Sequence, residues 1–158
     1  MLQAKIDALY QAAHELLYLG INGEPIYADR FRELNADVYH QSETLISEHG
    51  STAEEEALLC IALLSGYKAT FCNHGDKDEK IQSILDRSWE VLESLSASLL
   101  KCRLLVACYA EVFDEDLAKE AHAIINTWGE RELSEEEQEV IEDLHNLEEN
   151  PYPWSEVE

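Results

Sequence analysis

The run Ala57–Phe71, ALLCIALLSGYKATF, constrains the fold more than any other stretch of this chain. It holds one charge, Lys68, in fifteen residues. At 100° per residue, Leu58, Leu59, Cys60, Ile61, Leu63 and Leu64 point in every direction about a helix axis. A helix apolar all round belongs at the centre of a core and not on a surface. Spanning a bilayer takes about 20 apolar residues, and this run is shorter and interrupted by Gly66. A central packing helix is therefore expected, and the other segments have to surround it.

The flanking sequence supplies suitable partners. Leu2–Leu17 places Leu2, Ile6, Leu9, Tyr10, Ala13, Leu16 and Leu17 on one stripe, and Gly20 with Asn22-Gly23 ends it. A second helix is predicted from Ala28 to His49, with Phe31, Leu34, Val38, Leu45 and Ile46 inward and Gly50 at its C-terminal cap. Thr52 and Glu55 form a capping box that opens the apolar helix, where Glu54, Glu55 and Glu56 suit the positive end of the dipole. A fourth helix is predicted over Asp78–Leu95. A fifth, Ser98–Phe113, is nearly as apolar as the third and is expected as a second central helix beside it. A sixth is capped by Asp114 and closed by Gly129, and a seventh opens at a second capping box, Ser134 with Glu137. Tyr67/Phe71 and Tyr109/Phe113 end the two apolar helices at equal spacing, a faint echo of paired helix hairpins. The fold class is thus all-α: a single-domain bundle of about seven helices over 1–149, followed by an acidic, aromatic tail at 150–158.

Charge narrows the partners. The formal net charge is −23 over 158 residues, and such a field repels phosphate backbones and anionic lipid. Direct nucleic-acid or membrane binding is not expected, whereas a protein with a basic face is a suitable partner. The acids concentrate after Gly129, where Arg131 is the single base. The first 20 residues lack the basic start and apolar run of a signal peptide, so a cytoplasmic protein is expected. Cys60, Cys72, Cys102 and Cys108 show no Cys-x-x-Cys spacing and read as buried thiols.

Motifs for chemistry are sparse. No phosphate-binding glycine loop, zinc-protease helix or nucleophile elbow occurs. Glu142-x-x-His145 has the spacing of a di-iron ligand pair but occurs once, and His74 beside Asp76 lacks a nucleophile. A small helical hydrolase or metalloenzyme is the alternative these residues leave open; no catalytic residue, metal ligand or cofactor is assigned. Partner-binding candidates fall in two places. One is the outer face of the seventh helix (Glu135, Glu139, Glu142) with Tyr152 and Trp154 of the Pro-Tyr-Pro-Trp tail, aromatic types that anchor interfaces. The other is the polar loop Asn73, His74, Gly75, Asp76, Lys77.

Four long strings, AEEEALLCIALLSGYKAT, NHGDKDEKIQSILDRSWEVLESL, SLLKCRLLVACYAEVFDEDLAKEAHAIINTW and LEENPYPWSEVE, resemble the UpxZ family over nearly the whole chain. The resemblance implies a small acidic regulator from capsular polysaccharide loci of gut commensal bacteria. It implies antagonism of NusG-like antiterminators, the UpxY proteins of other capsule loci, at or before the RNA polymerase elongation complex. It carries no contact residues with it. Sequestration, nucleic-acid mimicry and blocked polymerase recruitment all remain open as mechanisms.

Overall fold

The computed structural model describes residues 2–17, 28–70, 77–129 and 132–149. In chain order the helices are α1 (Leu2–Leu17), α2 (Ala28–Leu45), α3 (Ala53–Ala69), α4 (Lys77–Ser94), α5 (Leu99–Val112), α6 (Glu115–Asn126) and α7 (Glu135–Glu149). The described residues contain no strand. The all-α, single-domain class is as expected, and its packing falls into two compact units, Met1–Ser94 and Leu95–Glu158.

In the first unit α3 is central, packed by α1, α2 and α4. Ala57, Leu59, Cys60, Ile61, Ala62, Leu63, Leu64 and Tyr67 are all buried, which is why the segment tolerates so little charge. Ile6, Leu9, Ala13 and Leu16 of α1, Leu34, Val38 and Leu45 of α2, and Ile84, Leu85, Val91 and Leu92 of α4 complete the core. Gly66 matters here for its lack of a side chain. A Cβ at this position would lie 2.3 Å from Ser42 Oγ and 3.2 Å from Leu9 Cδ1. Glycine lets α3 approach α1 and α2 closely at one point.

In the second unit α5 is the core helix, flanked by α6 and α7. It buries Cys102, Leu104, Leu105, Val106, Cys108 and Tyr109. The two apolar helices therefore centre two units, where their composition alone suggested one shared bundle. α6 contributes Ala118, Ala121 and Ile124, followed by Trp128, and α7 contributes Val140 and Leu144.

The caps bear out the chain's punctuation with two corrections. Ser134 and Glu137 form a reciprocal box: Glu137 N donates to Ser134 Oγ at 3.1 Å and Ser134 N donates to Glu137 Oε1 at 2.9 Å. At α3, Glu55 N donates to Thr52 Oγ1 at 3.1 Å, but the Glu55 carboxylate turns back to Ser51 N at 2.8 Å, one residue earlier than a strict box requires. The second correction concerns α2, which ends at Leu45 and not near His49. Gly50 is not its left-handed cap. Gly50 is needed because a Cβ there would sit 2.3 Å from the backbone nitrogen of Glu56. Gly129, with φ of 62°, does adopt the left-handed conformation after α6. Phe113 adopts it without being glycine (φ 52°), closing α5 with its ring 5.3 Å from that of Tyr109.

Candidate interaction surface

Two polar nodes fix the helices of the first unit, and neither was legible as such in the sequence. Arg87 of α4 donates to both oxygens of Glu56 in the first turn of α3, Nε to Oε2 at 2.9 Å and Nη2 to Oε1 at 3.0 Å. The same guanidinium donates to Ile46 O at 2.9 Å and Glu48 O at 2.7 Å, just beyond the end of α2. One side chain thereby satisfies carbonyls left over by one helix and neutralises the acidic start of another. Burial by itself would raise the Glu56 carboxyl; hydrogen bonds from Arg87 and Gly50 N, with the charges of Arg87 and His49, outweigh it and hold the group below its ordinary 4.5. The Glu54–Glu56 triplet is thus a helix start, as its spacing suggested.

The second node is Glu43 of α2. It accepts from Lys80 Nζ, from Tyr67 Oη and, at 3.2 Å, from Tyr39 Oη. Lys80 Nζ lies 5.7 Å from the Tyr39 ring centre and 5.9 Å from that of Tyr67, within cation–π range. Partial burial pushes the Glu43 carboxyl up, but these donors hold it below the ordinary value. Both nodes are structural in geometry: each joins three helices and leaves its carboxylate saturated with donors.

The thiols are inert by environment. Burial pushes Cys60 and Cys102 up to about 11, so the thiolate needed for nucleophilic or metal chemistry is scarce near neutral pH. Cys60, Cys102 and Cys108 are buried and take part in no disulfide; Cys72 lies outside the described residues. Among the described residues no three His, Cys, Asp or Glu side chains gather as a metal site. His145 sits with Nε2 3.1 Å from Glu149 Oε1 at the helix surface.

The exposed surface of α7 is different in kind. The capping box sets where the helix begins, and Val140 and Leu144 set which side faces α5. Glu135, Glu139 and Glu142 then follow one another at helical spacing on the solvent side, all exposed. The helix has no Lys or Arg. His122 Nε2 of α6 lies 2.7 Å from Glu148 Oε1 of α7, joining the two helices across their outer edge. Of the other candidate positions, Lys77 is the first residue of α4. Asn73, His74, Asp76, Tyr152 and Trp154 lie outside the described residues, as does Phe71.

The sequence pattern that defines the UpxZ family of transcription anti-terminator antagonists matches residues 6–110. The chain belongs to this family. The crystal structure of a transcription anti-terminator antagonist UpxZ from Bacteroides uniformis ATCC 8492 is 49% identical and superposes with a TM-score of 0.88, over 100% of this chain and 99% of that one. No protein of curated function matches. Membership in UpxZ makes this a regulator of transcription antitermination. No described helix is long and apolar enough to cross a membrane.

Proposed function

We propose that this UpxZ protein acts without catalysis, by binding a NusG-like antiterminator of the UpxY type and blocking its action on other capsular polysaccharide operons. The observation that carries the reading is the α7 stripe of Glu135, Glu139 and Glu142, exposed and without a lysine or arginine on its helix. Opposite charge accelerates encounter and makes it sensitive to salt. Tyr152 and Trp154 would add aromatic anchors to that surface, and Asn73, His74, Asp76 and Lys77 would form a second contact. Within this reading the carboxylates occupy the basic groups that the antiterminator offers to nucleic acid at the polymerase elongation complex. The chain itself binds no nucleic acid.

The test is the triple variant Glu135→Lys, Glu139→Lys, Glu142→Lys, with affinity for purified antiterminators measured at low and physiological salt. Binding should fall by at least tenfold, and the salt dependence should flatten, while the melting curve shows a folded protein. Unchanged affinity at low salt removes this surface from consideration. Competition between the protein and RNA for the antiterminator supports occlusion of the nucleic-acid surface; a ternary complex refutes it.

A further inference from the structure

The two helices that cover α5 are held to their unit unequally. α6 is fastened to α5 by side chains of both. Lys101 Nζ of α5 lies 2.8 Å from Glu120 Oε2 of α6, and Cys102 Sγ reaches Ala121 O at 3.8 Å. Ala118, Ala121 and Ile124 of α6 are buried, as is Trp128 just beyond it. α7 is the longer helix, at 15 residues, yet Val140 and Leu144 are its buried apolar side chains. Its third buried residue, Glu137, is engaged in the capping box at the start of the helix. Ile141 and Leu147 are half-buried. The other end carries Glu148 and Glu149 in its last turn, with no basic residue there. Carboxylates at that end oppose the helix dipole. Glu149 meets His145 of its own helix at 3.1 Å, and Glu148 meets His122 of α6 at 2.7 Å. The second of these contacts ties the end of α7 to its neighbour.

An isolated helix of about 15 residues is marginal in water. Once lifted from α5, α7 has little to keep it helical, so its release and its melting are one event. Local opening has a free energy set by what the moving element buries and by its end contacts, and not by the stability of the whole fold. We infer that α7 is a strap over α5, which opens as one cooperative unit ahead of α5 and α6, and that the His122–Glu148 contact is its clasp. Opening bares the side of α5 that Val140 and Leu144 cover. One contact at the surface thus governs access to part of an apolar core. The inference stands apart from the antiterminator reading and holds whichever protein is bound.

The test is hydrogen exchange of the full-length protein at fixed pH and salt, read by mass spectrometry on overlapping peptides. The backbone N–H groups of residues 139–149 should share one protection factor, about tenfold or more below that of α5. His122→Ala should lower the protection of all of them by about threefold, the effect of an exposed ion pair, and leave α5 unchanged. In a Glu148→Ala background the His122 change should have no further effect. Protection of α7 equal to that of α5 overturns the strap. A loss confined to residues 146–149 in His122→Ala means that a fraying end is pinned and no unit opens, and overturns it too. An undiminished effect of His122→Ala in the Glu148→Ala background overturns the clasp. All these variants alter exposed side chains, so the fold survives them, and a melting curve checks that it does.

Discussion

Replacing Arg87 by Met keeps the aliphatic stem and removes the guanidinium. In the wild-type protein that group is 16% exposed, its partner Glu56 is 14% exposed, and the pair is bidentate. Removing one member of a buried ion pair leaves the other charged and uncompensated, at a cost of about 3–5 kcal/mol. Glu56 keeps the Gly50 N–H at 2.8 Å and has His49 at 3.6 Å, and both carboxylate and guanidinium retain some solvent, so the lower figure, about 3 kcal/mol, is expected. With a urea slope of about 2 kcal/mol per molar, the unfolding midpoint should fall by about 1.5 M at unchanged slope. Adding Glu56→Gln to Arg87→Met should recover part of the loss, since the stranded charge is gone, and the double-mutant cycle should give a coupling of about 1–3 kcal/mol. Chemical denaturation followed by circular dichroism and Trp fluorescence measures all four corners. A single-mutant loss below about 1 kcal/mol, or no coupling, would mean that the pair behaves like a solvent-exposed one, and the reasoning about Arg87 as the joint of α2, α3 and α4 would be wrong.

The same pair predicts a pH dependence. Glu56 has a lowered pKa in the folded state, so its contribution is complete above the unfolded value, 4.5, and is lost as pH falls through the lower folded value. Stability should therefore decline below pH 4.5 more steeply in the wild-type protein than in Arg87→Met; parallel curves would refute it. Gly66→Ala places a Cβ 2.3 Å from Ser42 Oγ and should cost about 1–3 kcal/mol by overpacking. Ser42→Ala in the same chain should reduce that cost, because only the 3.2 Å approach to Leu9 remains; an undiminished cost in thermal melts would refute the contact. Gly50→Ala should be the more damaging glycine change, since its Cβ meets the Glu56 backbone at 2.3 Å and no side-chain removal rescues it. Cys60 and Cys102, pushed up to about 11 and buried, should resist a thiol reagent at pH 8 in the native state and react on unfolding, as mass spectrometry of labelled peptides would show; rapid native labelling of either would contradict the packing described.

Much of the helical layout was legible from the chain alone. The all-round apolarity of residues 57–64 announced a buried α3, and Thr52, Ser98, Asp114 and Ser134 marked helix starts because their side-chain oxygens accept from free backbone N–H groups. These are local effects, carried by three or four consecutive residues. The α7 stripe was legible for the same reason: the period of a helix and the position of Val140 and Leu144 leave Glu135, Glu139 and Glu142 outward.

Long-range geometry was not written locally. Arg87 looked like one more charge on an amphipathic helix, yet it ends α2 by taking Ile46 O and Glu48 O, about forty residues away in sequence. Glu43 and Lys80 are equally distant and equally unannounced. Gly50 and Gly66 read as a cap and an interruption, but each is small because another segment passes within van der Waals distance of its Cα. The division into two cores, one on α3 and one on α5, also needed the tertiary structure. Periodicity tells a helix which of its faces is apolar and, for α3 and α5, that no face is polar. It does not say which other helices will cover that surface, because burial is non-directional and any apolar stripe of the right length satisfies it. The sequence by itself determined the helices, their caps and the sign of the exposed charge; the tertiary structure decided which helices share a core and which polar groups meet between them.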